Sequence, residues 1–231
     1  MAGKSSLSSF EQRRTIRNKE KTAIAQFVTA NLLPPGETLF LGAGTTVSYI
    51  GEEIAKKYAH ASFKIWTNNI GLINLWLAKY EAFFAFNFVG IVEGEFSSKN
   101  MSIINLSLPV PEIPKVIIGS PAVSAKGLSA DSIATGYQVD SLIKRTKEII
   151  VVADASKIGT TETYLTRSAR MLKLDIARKK RHILVTTAPH QENCDIFRDE
   201  TARLERMGVQ IRVVRNATMK TKPREEEGST K

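Results

Sequence analysis

The sequence predicts an α/β protein with a doubly wound, mostly parallel sheet and flanking helices. Three observations carry that prediction. Apolar runs of strand length recur along the chain, and amphipathic stretches of helical period lie between them. Several of the runs end in polar or glycine-rich turns, which is where the strands of such a sheet bind ligands.

The elements follow in order. Residues 1–12 are polar and Ser-rich and are expected to be disordered. From Arg14, the apolar residues Ile16, Ile24, Phe27, Val28 and Leu32 share one helical face, and Pro34-Pro35-Gly36 must stop that helix. "TLFLGAG" is a buried strand, and the helix "TTVSYIGEEIAKKYA" after it spaces Val47, Ile50 and Ile54 on one face. "FKIWTNN" is a second strand and "IGLINLWLAKYE" a second helix. "AFNFVGIVEGEF" reads as one strand ending at Gly94. "SIINLSLPV" reads as a weaker or edge strand that Pro109 and Pro111 interrupt. "KVIIGSPAV" is a strand, "SAKGLSADSIATGYQ" a loop, and a helix is expected around Val139 to Thr146. "EIIVVADASK", "HILVTTAPH" and "QIRVVR" complete the strands. The helix "CDIFRDETARLERMG" lies between the last two and closes at Gly208. The tail from 216 to 231 is polar and expected to be disordered.

Composition limits what this fold can do. At 231 residues, 42% apolar and 24% charged, the chain reads as an ordinary globular protein with a substantial core. Its amino end has no apolar segment of the kind that directs secretion, and no run reaches the ~20 residues that span a bilayer. The single Cys194 excludes an internal disulfide framework and reads as a packing residue. These features point to a cytoplasmic protein without a membrane partner. The net charge of +10 is compatible with nucleic acid, but no helix-turn-helix, zinc-finger or aromatic RNA-binding signature accompanies it. The run Arg178 to Arg181 suits a helix C-terminus, where cations complement the macrodipole. Anionic small molecules, such as phosphorylated metabolites, are the partners the charge favours.

Candidate binding residues gather at strand ends. Gly42-Ala43-Gly44-Thr45-Thr46 joins a glycine turn to a helix start, whose free N–H groups suit an anion. Thr67 and Asn68 end the second strand, Gly94 the third, and Asp154-Ala155-Ser156-Lys157 a later one. Each also has a plain structural reading, as a cap or an Asx turn. Their recurrence at successive strand ends favours a site for a polyhydroxylated, phosphorylated compound. The first turn lacks the third glycine of a dinucleotide fingerprint, no Walker A motif is present, and the histidines have no metal-ligand spacing. No cofactor, no metal and no catalytic residue is therefore assigned.

The same segments resemble the C-terminal effector-sensing domain of the DeoR family of transcriptional regulators. The resemblance runs from about Arg13 to Val214 through "NKEKTAIAQFV", "LFLGAGTTVSYIGEEI", "IWTNNIGLINLWL", "VGIVEGEF", "IIVVADASKIG" and the closing "HILVTTAP…GVQIRVV". It implies a domain over 13–215 in a Rossmann-like group that includes ribose-5-phosphate isomerase. It also implies a sugar-phosphate ligand, with Gly44, Thr45 and Thr46 on the phosphate and Thr67, Asn68, Gly94, Asp154 and Lys157 around the sugar. Gly42 stands where the family usually has Asp, "VEGE" has one glycine of an expected pair, and no acid follows Thr187. The family's winged helix has no counterpart in the short lead before Arg13, so direct sequence-specific DNA binding by this chain is not expected. Three readings follow. The first is a sugar-phosphate sensor, acting as a homo-oligomer or on a separate regulator. The second is an aldose–ketose phosphate isomerase using Asp154 and Lys157, for which the isomerases' acidic stretches are missing. The third is a regulator that works with a partner DNA-binding chain.

Overall fold

A computed structural model describes residues 9–98, 101–107, 112–160 and 164–215. The leading residues 1–8 and the tail 216–231, both expected to be disordered, lie outside the described residues. The described chain opens with α1 (Ser9–Thr15) and α2 (Asn18–Asn31), then alternates β1 (Thr38–Leu41), α3 (Thr45–Lys57), β2 (Lys64–Thr67) and α4 (Ile70–Lys79). A short α5 (Phe83–Phe86) leads into β3 (Phe88–Ile91), followed by β4 (Glu93–Ser97) and β5 (Ser102–Ser107). Next come β6 (Ile113–Gly119), β7 (Val123–Ser124), β8 (Gly127–Ala130), α6 (Ile133–Lys144) and β9 (Thr146–Val152). The chain closes through β10 (Tyr164–Ser168), α7 (Ala169–Ala177), β11 (Arg181–Thr187), α8 (Cys194–Arg206) and β12 (Gln210–Val214).

Seven strands form one sheet in the order β12-β11-β9-β6-β1-β2-β3, and each pairing in it is parallel. This is the doubly wound, Rossmann-like α/β architecture that the alternation predicts. Successive residues of β1 face opposite sides of the sheet. Leu39 and Leu41 join Ile24, Val28, Ile50, Leu72 and Trp76 in one core, whereas Phe40 joins Leu142, Ile143, Phe197 and Leu204 in the other. The central strands β6 and β9 are covered on both faces, which is why "KVIIG" and "EIIVV" are nearly continuous apolar runs. Among the described residues, no helix is long and apolar enough to cross a membrane.

One topological feature positions the site. From β1 the chain moves outward to β2 and β3, then returns to β6 on the other side of β1 and moves outward to β9, β11 and β12. The turns after β1 and β6 therefore leave in opposite directions and open a crevice at the C-terminal ends of those two strands.

Several local expectations give way to longer-range contacts. The helix expected from Arg14 to Pro34 breaks at Arg17, whose φ of 52° places it in the left-handed region and separates α1 from α2. Residues 9–12, expected to be disordered, belong to α1, because Phe10 is buried against Gly71 of α4. A Cβ on Gly71 would come within 2.4 Å of that ring, so the glycine is what admits it. Burying one Phe in this way contributes about 1.5–3 kcal/mol. The run from Ala85 to Phe96 is divided between α5, β3 and β4, and β4 pairs antiparallel with β5 as a separate hairpin. The stretch 124–138 is not a loop throughout. It contains the β7–β8 hairpin and the start of α6, where the Ser132 side chain caps the Thr135 N–H.

Candidate functional site

The crevice between β1 and β6 holds a cavity of about 300 Å³. Its floor is the turn Ala43-Gly44-Thr45-Thr46 after β1, faced by Gly119-Ser120-Pro121 after β6. Asp154, Ser156 and Lys157 after β9 form one wall, and Asp131 and Thr135 at the start of α6 another. Arg13, Ile16, Arg17 and Lys21, from the α1–α2 elbow, arch over the opening.

The turn presents backbone donors to this space. Gly44 is the N-cap of α3 with φ 119° and ψ 152°, a conformation that is essentially glycine's own. No side chain caps α3, nor α2, α5 or α8, whereas Asn69, Ser132 and Ser168 cap α4, α6 and α7. The first N–H groups of α3 have no intrahelical acceptor and sit at the positive end of its dipole. A Cβ built on Gly44 would meet no atom within 4 Å, so a side chain there would project into open space at the turn.

Asn69 holds the turn in place. Its Nδ2 donates to the carbonyls of Gly42 and Gly44, at 3.2 Å each, while its Oδ1 accepts from Leu72 N. Arg14 ties the elbow to α3 by donating to Ser48 Oγ at 2.7 Å and to Glu52 Oε2 at 2.6 Å, and its guanidinium lies over the Tyr49 ring. On the other side Arg17 Nε lies 3.6 Å from Asp154 Oδ1. Asp154 is buried, accepts from Ser156 N and Oγ, and lies 3.8 Å from Lys157 Nζ. The elbow thus touches both sides of the crevice.

The cavity carries a surplus of positive charge. Four cations, Arg13, Arg17, Lys21 and Lys157, and two carboxylates, Asp131 and Asp154, line it. Burial and then the nearby Lys157 charge pull Lys21 down to about 8, against the opposing pull of Asp154 and with further lowering by Arg14 and Arg13. Lys157 is lowered as well, by burial first, with Arg13 and Arg17 adding to it and Asp154 opposing. Lys21 Nζ also donates to the Arg13 carbonyl. Both ammonium groups thus hold their protons less tightly than exposed lysines do, beside the first turn of α3.

Five of the eight residues expected at the site meet here: Gly44, Thr45, Thr46, Asp154 and Lys157. Thr67, Asn68 and Gly94 do not line this cavity. Thr67 is fully buried, and its hydroxyl donates to Leu41 O at 2.6 Å and accepts from Asn69 N. It braces the strand ends. Gly94 lies in β4 of the outer hairpin. Asn68 lines a second, smaller cavity of about 40 Å³ that shares Ala43, Gly119 and Thr135 with the first. Sequence reasoning placed Asn69 at the same strand end as Thr67 and Asn68, but missed the elbow cations and the Gly119-Ser120-Pro121 turn. The last had a readable signal, since "IIGSP" is also a strand ending in glycine.

Comparison with known proteins bears on the family. The profile of the DeoR C terminal sensor domain matches residues 16–176. The HTH-type transcriptional repressor GlcR of Bacillus subtilis is 26% identical over 90% of this chain and 72% of its own length. A lactose phosphotransferase system repressor of Streptococcus mutans is 29% identical over 65% of this chain and 59% of its own length. Among solved structures, ribose 5 phosphate isomerase A from Neisseria gonorrhoeae aligns at TM-score 0.43 and 15% identity, covering 63% of this chain and 54% of that one. A probable sor operon regulator from Shigella flexneri aligns at TM-score 0.36 and 9% identity, over 88% of this chain and 86% of that one. The profile match spans most of the chain, and the protein belongs to the DeoR C-terminal sensor-domain family.

Proposed function

We propose that this protein senses a phosphorylated sugar, or a closely similar anionic metabolite, on behalf of transcriptional regulation. The observation that carries this reading is the cation surplus around the uncapped start of α3, in a cavity at the switch point of the sheet. The phosphate would lie against the N–H groups of Thr45 and Thr46, with Lys21, Lys157 and the elbow arginines neutralising it. The relatives' names support the regulatory half of the reading: both are repressors, and one is named for the lactose phosphotransferase system. Because Arg13, Ile16, Arg17 and Lys21 belong to α1, α2 and their elbow, the bound anion would fix the position of the N-terminal helices. That would give the occupied state a mechanical output.

Thermal unfolding in the presence of glucose 6-phosphate, fructose 6-phosphate and ribose 5-phosphate tests the reading. A ligand at 100 times its Kd adds about 2.7 kcal/mol of stability. Gly44→Val, which puts a branched side chain into the open space at the turn, is expected to weaken that ligand at least about tenfold, or ~1.4 kcal/mol. Circular dichroism confirms that the variant is folded. No stabilisation by any phosphorylated sugar, or full affinity in folded Gly44→Val, overturns the proposal.

A further inference from the structure

The second cavity differs chemically from the first. It lies behind Ala43, Gly119 and Thr135 and is walled by Ile104, Ile118, Val139 and Leu142, with no charged residue in its lining. Two amide side chains face it, Asn68 and Gln138, exposed by only 1% and 8%. The Asn68 Nδ2 donates to Ile103 O at 2.9 Å, which fixes its orientation and leaves Oδ1 without a partner. Gln138 Oε1 is also buried without a partner.

A buried acceptor left unpaired costs roughly 1–3 kcal/mol, so two lining one small cavity call for an explanation. The space holds one or two water-sized groups and cannot accept a phosphate with its charge. What fits is a neutral group that brings hydrogen-bond donors, which is to say a hydroxyl.

We propose that this inner cavity is the specificity subsite, where Asn68 Oδ1 and Gln138 Oε1 accept hydrogen bonds from hydroxyls at the non-phosphorylated end of the ligand. The inference rests on the proposed function for the outer cavity and gives the bound molecule a direction. Its anion stays outside with the cations, and its hydroxyl end faces the inner cavity at the shared border of Ala43, Gly119 and Thr135. Deoxygenated analogues would leave the two acceptors unpaired and be rejected, and an aldonate would bring a carboxylate to a wall of acceptors. Gln138 becomes a residue that selects among sugar phosphates without touching the phosphate.

Calorimetric titration of wild type and Gln138→Met with the three sugar phosphates and with inorganic phosphate tests this. Methionine keeps the length of the side chain and removes the acceptor. The variant is expected to lose about tenfold in affinity for the best sugar phosphate and to bind inorganic phosphate as wild type does. The free variant is expected to melt no lower than wild type, because an unpaired acceptor has left the interior. If Gln138→Met binds the sugar phosphate as tightly as wild type, the inner cavity is a water pocket and the subsite is overturned while the outer site stands. If it loses sugar phosphate and inorganic phosphate equally, the subsite is likewise overturned, since the effect then acts through the outer turn. Wild type that binds neither overturns the proposed function itself, and the subsite with it.

Discussion

Two charged clusters in this molecule look alike in composition and differ in closure. Behind α6 and α7, Arg167 donates to both oxygens of Asp175, at 2.8 and 2.5 Å, and to Asp140. Asp140 also pairs with Lys144 at 2.7 Å, and His182 Nε2 lies 3.2 Å from Asp175. There the guanidinium and the ammonium face two carboxylates at bonding distance, so each charge has an answer. In the crevice, four cations face two carboxylates, and the contacts of Asp154 with Arg17 and Lys157 are long, at 3.6 and 3.8 Å. The first cluster holds its guanidinium and carboxylates at bonding distance, and the second holds Asp154 and its cations further apart. A balanced buried network points to architecture, and an unbalanced one at a sheet edge points to a ligand.

Breaking the closed cluster should give the largest effect, and only on stability. Arg167→Met leaves Asp175 buried without its bidentate partner, which costs about 3–5 kcal/mol. The melting temperature should fall on the order of 10 °C. Ligand affinity of the folded fraction should stay within about twofold, because Arg167 lines neither cavity. Burial alone lifts Asp175, but the contacts with His182 and Arg167 outweigh it and hold the carboxyl below its usual range. A depressed carboxylate stabilises the fold above the unfolded value and loses that contribution on acidification. Acid melts of the wild type should show this loss, and Arg167→Met should have less of it to lose.

The open cluster should respond to pH in the alkaline range instead. Lys21 titrates near 8 in the free protein, below its unfolded value of 10.5. Between those values the unfolded chain binds more protons, so the contribution of this group to stability rises with pH. A bound phosphate favours the charged amine and draws a proton onto it. Affinity should therefore fall as pH rises above about 8, and also below about 6, where a phosphate monoester loses its second charge. Titrations at pH 8 in two buffers of different ionisation enthalpy measure the proton uptake. Lys21→Met should weaken the alkaline fall, leaving the part that Lys157 contributes, and cost about 1.5–3 kcal/mol of binding near neutrality. An affinity flat from pH 7 to 9.5 in the wild type would mean that Lys21 does not meet the anion.

The two clusters were not equally legible in the sequence. Strand-end residues such as Gly44 and Asp154 were readable, because each strand and its turn form a local signal. The elbow was hidden, since a left-handed Arg17 between two helices carries no glycine or proline to announce it. Phe10 on Gly71 is a contact across some sixty residues, and no periodicity reports it. The β7–β8 hairpin escaped because strands of two and four residues hold too little alternation to see. Thr67 illustrates the remaining limit. A polar residue at a strand end points either toward the ligand or back into the scaffold, and the sequence is the same in both cases.

That ambiguity supplies the finest test of the comparison, a single hydroxyl removed at each of two threonines. Thr46 is buried, lines the outer cavity and sits in the first turn of α3, where alanine is the better helix former and offsets part of any lost contact. Thr46→Ala should leave the melting temperature nearly unchanged and weaken the sugar phosphate by about 1 kcal/mol, or about fivefold, since the backbone donors stay in place. Thr67→Ala removes a hydroxyl that bonds Leu41 O and Asn69 N and lines neither cavity. Its cost of about 1–3 kcal/mol should appear in unfolding. Any loss of affinity should follow only from the loosening of Asn69, and with it the Gly42–Gly44 carbonyls. Chemical denaturation and calorimetric titration of both variants separate the two costs. If Thr46→Ala loses stability but keeps full affinity, the start of α3 belongs to the scaffold, and the surplus cations of the crevice answer to a group bound elsewhere along it.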